Sequence, residues 1–120
     1  RSNTPLQSLT LANDEALFEL AQGLGARMMR EIEGTDSTAN RERIRHGFAL
    51  CFSRPPSDTE VEAVAGFQER QLAAFQADAE GAASVAPKEF PNDQYDVATA
   101  ASWTAVARAL MNTDEFITRE

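Results

Sequence analysis

The chain has 120 residues, 42% of them apolar and 25% charged, which is the size and composition of one globular domain and not of a disordered segment. A net charge of −8 argues against a general phosphate-backbone binder, and no run approaches the roughly 18 apolar residues that a membrane crossing needs. A single cysteine, Cys51, and a single histidine, His46, exclude an internal disulfide, a cysteine-ligated zinc or iron–sulfur centre, and any site that needs two imidazoles.

Thr4-Pro5-Leu6-Gln7 is a helix start. Thr4 can cap main-chain amides, Pro5 suits the first helical position, and Gln7 stands where a capping box places it. The helix is short, because Asn13 follows closely and can cap the next one, with Asp14 and Glu15 favourable against its N-terminal dipole. That second helix is predicted from Asp14 to about Ile32, with Leu17, Leu20, Leu24 and Met28 as its apolar stripe and Phe18, Ala21 and Met29 beside it. Gly23 and Gly25 lie inside it, each costing about 1 kcal/mol of helix propensity. Close packing on a neighbouring helix is the expected reason, and a hinge is the alternative. Gly34 supplies the stop, and the polar residues 35–40 read as a loop.

A third helix is predicted from about Thr38 to Phe52, burying Ile44, Phe48, Cys51 and Phe52. Arg41 and Arg45 stand four apart on another face, and Arg54 follows at the helix end before Pro55 and Pro56. Between Thr38 and Pro56 the local charge is +3, against −11 for the rest of the chain, a pattern expected of an internal docking face. Ser57-Asp58-Thr59-Glu60 is a capping box, and a fourth helix follows to about Asp78 with Val61, Val64, Ala65, Gln68, Leu72 and Phe75 inward. Residues 77–86 are Ala-rich, weakly patterned and expected to fray. Residues 87–96 read as a loop tacked down by Phe90 and Tyr95, with the tyrosine hydroxyl near water. The last long helix runs from about Asp96 to Met111 on Trp103, Val106, Ala107 and Leu110, stopped at Asn112, after which Phe116 is expected to turn back to the core.

No strand-like alternation and no internal repeat occurs. The expectation is an all-α fold: a small antiparallel helical bundle of four main helices plus a short N-terminal helix, forming a single domain over residues 1–120. The chain opens on Arg1, directly in a helix start, with no signal-peptide pattern, and is expected to be cut from a longer protein with apolar surface exposed at its N-terminal end.

Catalytic chemistry finds little to work with. The carboxylates cluster at helix starts and in loops, where acids are solvated and stabilising, and one histidine cannot supply a Ser–His–Asp set beside them. Gly23-x-Gly25 sits inside a helix, so it is no dinucleotide fingerprint, and Asp93-x-x-Asp96 falls short of a calcium loop. A helix–turn–helix reading of residues 41–60 fails because its arginines precede the turn and the second helix opens with acids. Cys51 reads as a buried, inert thiol. No catalytic, cofactor-binding or metal residue is assigned.

The pattern Ser2-Asn3-Thr4-Pro5-Leu6-Gln7-x-Leu9 with Leu11-x-Asn13-Asp14, then Arg43-Ile44, Phe48, Leu50 and Arg54-Pro55-Pro56, then Trp103, Arg108-Ala109-Leu110, Asn112 and Glu115-Phe116, resembles a known family. It is similar to the C-terminal end of a large domain of unknown function found in planctomycetes and related bacteria. There the domain commonly follows a second uncharacterised domain and often a cytochrome-c-type haem domain further upstream. Ser53 stands where relatives often have Gly, which suits a left-handed helix end, and the departure bears on the turn and not on the match.

The resemblance implies a non-catalytic helical module that completes a larger domain of an exported, haem-associated multidomain protein in the periplasm or cell envelope. Its partners are then the upstream domains of the same polypeptide. Haem c would belong to the parent protein, since this segment lacks Cys-x-x-Cys-His and takes no cofactor. His46, opposite Met28, Met29 or Met111, is the only conceivable axial pair, and an ordinary surface histidine is expected instead. The alternatives are a segment lining the site of a redox or carbohydrate-active enzyme, and a protein–protein docking domain. Asn3, Gln7, Asn13, Asp14, Arg41, Arg45 and Arg54 are the candidate intramolecular or partner contacts.

Overall fold

Helix α5 (Val97–Met111) is the element around which the others assemble. Nine of its fifteen residues are buried, so it presents core surface almost all round and belongs in the interior. The structure, a computed structural model, describes residues 14–113. It places α1 (Asp14–Glu31), α2 (Ser37–Cys51), α3 (Asp58–Gln76) and α4 (Ala79–Val85) against α5, and the described residues are all-helical. The predicted N-terminal helix start and Phe116 lie outside the described residues.

The α1–α5 packing is the most extensive, and a glycine makes it possible. A Cβ on Gly25 would sit 3.0 Å from the Thr104 amide nitrogen and the Trp103 carbonyl oxygen, so the two backbones touch there. Ala21 meets Ala107 and Met111 further along, which sets the two helices antiparallel. Gly23 points away into open space. The buried residues of α1 are therefore Ala21, Gly25, Ala26, Met28 and Met29. Leu20, placed on the stripe by its spacing, is 60% exposed instead. The helix is seated on its small residues, which turns Leu20 out beyond Leu17 and Leu24.

Local capping follows the sequence closely. Ser57 and Glu60 form the complete capping box of α3, and Asp96 accepts from the Thr99 amide at the start of α5. That contact holds the Asp96 carboxyl below its usual range. Two expectations are corrected here. Helix α2 begins at Ser37, inside the predicted loop, because Asp36 accepts from the Ala39 amide. Residues 79–85 do not fray: Asp78 caps the Gly81 amide, and Ala82 and Ala86 are small enough to bury beside α5. The turn after α2 is extended at Phe52 (φ −131°), and no described non-glycine residue takes a positive φ, so Ser53 meets no conformational demand that only Gly could satisfy.

The main cluster joins Met28, Met29, Ile44, Phe48, Val61, Trp103, Val106 and Leu110. Met28 and Met29 are fully enclosed, a burial worth about 1.5–3 kcal/mol each. Gln68 crosses from α3 to donate to Ser102 Oγ (2.9 Å), which itself donates to the Thr99 carbonyl. Among the described residues no helix is long and apolar enough to cross a membrane.

Candidate functional site

Among the described residues, Arg43 is the one charged side chain that is buried. It is 0% exposed, and its partners include no carboxylate. Nε and Nη2 donate to the Ile32 carbonyl (3.0 and 2.6 Å), Nη2 to the Gly34 carbonyl (2.6 Å) and the Tyr95 hydroxyl (2.7 Å), and Nη1 to Asn40 Oδ1 (3.0 Å). The Tyr95 hydroxyl in turn donates to the Met29 carbonyl (3.1 Å). The guanidinium also lies 5.2 Å from the Tyr95 ring centre and 4.8 Å from that of Trp103, cation–π contacts worth about 2 kcal/mol when desolvated.

Sequence builds this node locally. Gly34, at φ +114°, turns the chain after α1 in a way that L side chains resist, and its carbonyl reaches the guanidinium. The carbonyls that α1 leaves unpaired at its C-terminal end are negative ends of dipoles, and a cation is favourable there. Burial pushes the Arg43 pKa down, and Tyr95 opposes the shift. Among the described residues no buried side-chain polar atom lacks a partner. The Tyr95 hydroxyl is thus inside, contrary to the expectation that it stays near water, because it is the link between Arg43 and α1.

Arg43 stands beside Ile44 and four residues before the buried Gly47, so its position on the inner side of α2 was readable from spacing alone. The arginines singled out by charge lie elsewhere. Arg41 makes a two-pronged pair with Glu62 (2.7 and 2.8 Å) and donates to Ser37. Arg45 meets Asp58 at 3.2 Å, and Arg54 pairs with Glu60 (2.9 and 2.7 Å) while Glu60 also accepts from the Ser57 amide. Arg54 holds the Glu60 carboxyl down to a pKa of about 2, and Arg41 lowers that of Glu62. All three therefore reach carboxylates in the first two turns of α3. Surface pairs of this kind stabilise little; Arg41–Glu62 and Arg45–Asp58 bridge α2 and α3, and Arg54–Glu60 ties the connecting turn to α3.

His46 is half-buried and lies 2.5 Å from Glu31, which also pairs with Arg27, and these two partners lower the Glu31 pKa. Met28 and Met29 are packed in the core, so they do not stand opposite His46 as ligands. Cys51 is buried and free of disulfide. Among the described residues no group of three His, Cys, Asp or Glu side chains could hold a metal ion. Asn3, Gln7 and Asn13 lie outside the described residues, and Asp14 is placed only as the first residue of α1.

One surface feature remains. A groove of about 360 Å³ opens between α1, α3 and α5, lined by Phe18, Phe67, Phe75, Val85, Ala105 and Ala109 among others. Its walls are mostly apolar carbon, and it carries no convergent charged groups beyond Arg108.

No curated protein and no solved structure matches this chain. Residues 1–68 match a family described as a protein of unknown function, DUF1553. The match takes in α1, the Arg43-Ile44 pair, the Arg54-Pro55-Pro56 corner and the capping box, and it ends on the buried Gln68. With more than half its length matched, the chain belongs to the DUF1553 family of proteins of unknown function.

Proposed function

We propose that this chain is a non-catalytic helical module that completes a larger domain within an exported, haem-associated multidomain bacterial protein. The observation that carries the reading is the Arg43 node. A charged side chain is sealed from solvent there, and each of its hydrogen bonds runs to the fold itself. An arginine spent on main-chain carbonyls, Asn40 and Tyr95 holds helices in place, and no substrate could reach it without unfolding the end of α1.

The module extends past the family match as one helical bundle. Tyr95 and Trp103 complete the node, Ser102 receives Gln68, and the backbone of α5 fills the space over Gly25, so residues 1–68 lack half of their own core. The apolar groove beside Phe18 suits an upstream part of the same polypeptide, which is also where a haem c would reside, since one cysteine cannot anchor it here. The proposed location is the periplasm or cell envelope.

The test uses the intact parent polypeptide with a photo-crosslinking residue in place of the exposed Ala109 on the groove rim. Crosslinks to upstream residues, together with a c-type haem absorption band, are expected. A parent that gives no upstream crosslink would remove the completing role, and one without haem would remove the redox context.

A further inference from the structure

We propose that the outward face of α1 pairs with the same face of a second copy of this chain, the two helices running antiparallel about a two-fold axis. This goes beyond the module reading and does not depend on it. At about 100° per residue, Ala16, Glu19, Leu20, Arg27 and Arg30 all lie within about 60° of Gly23 around the helix, and all six are exposed. Leu20, 60% exposed, and Val97, at the first position of its helix, are the large apolar side chains left exposed among the described residues. Beside Leu20 is a gap, since a Cβ on Gly23 would meet nothing within 4 Å. Steps of four and three residues run from Ala16 through Leu20, Gly23 and Arg27 to Arg30, the spacing by which two helices interlock along a seam.

Charge decides which partner fits. The acid of this face, Glu19, stands before Gly23, and the bases, Arg27 and Arg30, stand after it. Glu19 and Arg30 take part in no ion pair among the described residues, and Arg27 meets Glu31 in an exposed i,i+4 contact (3.0 Å) that is worth little. A face negative at one end and positive at the other is complementary to itself when turned end for end, as an isologous two-fold contact requires. With Leu20 set opposite Gly23 of the other copy, Arg27 falls opposite Ala16 of that copy and within one turn of its Glu19. Symmetry makes each contact twice: a leucine over an open glycine, and an arginine beside a glutamate. The helix dipole also favours acids first and bases last, but it makes no demand for an exposed leucine beside an open glycine. With 18 residues, α1 is about 27 Å long, so the contact falls short of the roughly 1,600 Å² of a standard interface, and a dissociation constant of about 100 μM is expected.

Sedimentation equilibrium on the whole 120-residue chain tests this. The wild type is expected to dimerise as its concentration rises. Glu19→Arg sets arginine against arginine across the axis, and Arg27→Glu sets glutamate against glutamate, so each variant alone is expected to pair with itself at least about tenfold more weakly. An equimolar mixture of the two variants is expected to regain the dimer, because every cross-pair is then basic on one copy and acidic on the other. Both side chains are exposed, and circular dichroism of each variant checks that the helices are intact. Gly23→Leu fills the gap from within the chain, where nothing stands in its way, and is expected to abolish pairing with the monomer still folded. A wild type that stays monomeric at about 1 mM would overturn the proposal and leave the face to the upstream polypeptide. A dimer that survives Glu19→Arg or Gly23→Leu, or a mixture that gains nothing over the single variants, would overturn it as well and move the contact elsewhere. The groove experiment fails or succeeds separately, because Phe18 and Gly23 point about 140° apart around α1.

Discussion

The two ends of α1 are held by different physics. At its C-terminal end, Met28 and Met29 are enclosed, Tyr95 donates to the Met29 carbonyl, and the buried guanidinium of Arg43 takes the Ile32 and Gly34 carbonyls just beyond the helix. At its N-terminal end the helix leans on small residues, and Leu20 faces out. The α2–α3 corner, by comparison, is fastened by surface charge, through Arg54, Glu60 and Ser57. The contrast teaches where a module of this kind puts its specificity. A closed end carries directional, desolvated bonds, and an open end keeps apolar surface for something still to arrive.

The sharpest way to break the contrast is Arg43→Met. The substitution keeps much of the volume but removes every guanidinium bond to the Ile32 and Gly34 carbonyls, Asn40 and the Tyr95 hydroxyl, and a loss of about 3–5 kcal/mol is expected in denaturant unfolding. A loss below about 1 kcal/mol would show that the node is ornamental. The next effect is at the seam between the ends. Gly25→Ala drives a methyl into the α5 backbone and should cost about 1–3 kcal/mol, whereas Gly23→Ala, which meets open space, should stabilise by about 0.5–1 kcal/mol. Equal effects at the two glycines would sink the packing account of α1.

The smallest effect is one of pH. The Glu60 pKa falls from an ordinary 4.5 to about 2 in the folded chain. A depressed carboxyl contributes stability that is fully present above the unfolded value and is lost as pH falls through the folded one, so the loss develops between about 4.5 and 2. The protection of the amides at residues 57–61, taken relative to the intrinsic exchange rate at each pH, should fall in that window before protection at the Arg43 node does, since no carboxylate is among that guanidinium's hydrogen-bond partners. Glu60→Gln should flatten the difference, and an unchanged profile in that variant would place the acid sensitivity elsewhere.

Legibility in the sequence followed the range of the interaction. The caps at Ser57 and Asn112, the start of the last helix near Asp96, the stripes Ile44–Phe48–Cys51 and Trp103–Val106–Leu110, and the all-helical class were readable because each is decided within a few residues. Leu20 was misplaced because spacing defines a stripe but not its centre, and the centre of α1 was set by Gly25 meeting a helix about eighty residues away. The short helix at 79–85 was missed because alanine carries almost no hydrophobic contrast, so its pattern exists only against α5. Arg43 was passed over for a related reason. Charge statistics group it with Arg41 and Arg45, and only its register beside Ile44 sets it apart. The candidate contacts chosen by charge all reach carboxylates on α3, and the side chain with the most specific surroundings was their neighbour.

The central place of α5 also fixes an order of events during synthesis. It is the last of the five described helices to be made, so α1 waits for about eighty residues, roughly 4–16 s of translation, without the surface it packs on. Through that interval Met28, Met29 and Phe48 have no interior, and Arg43 has neither of its aromatic rings. The core stays open until Trp103 emerges, and a chain truncated anywhere before it cannot close that core.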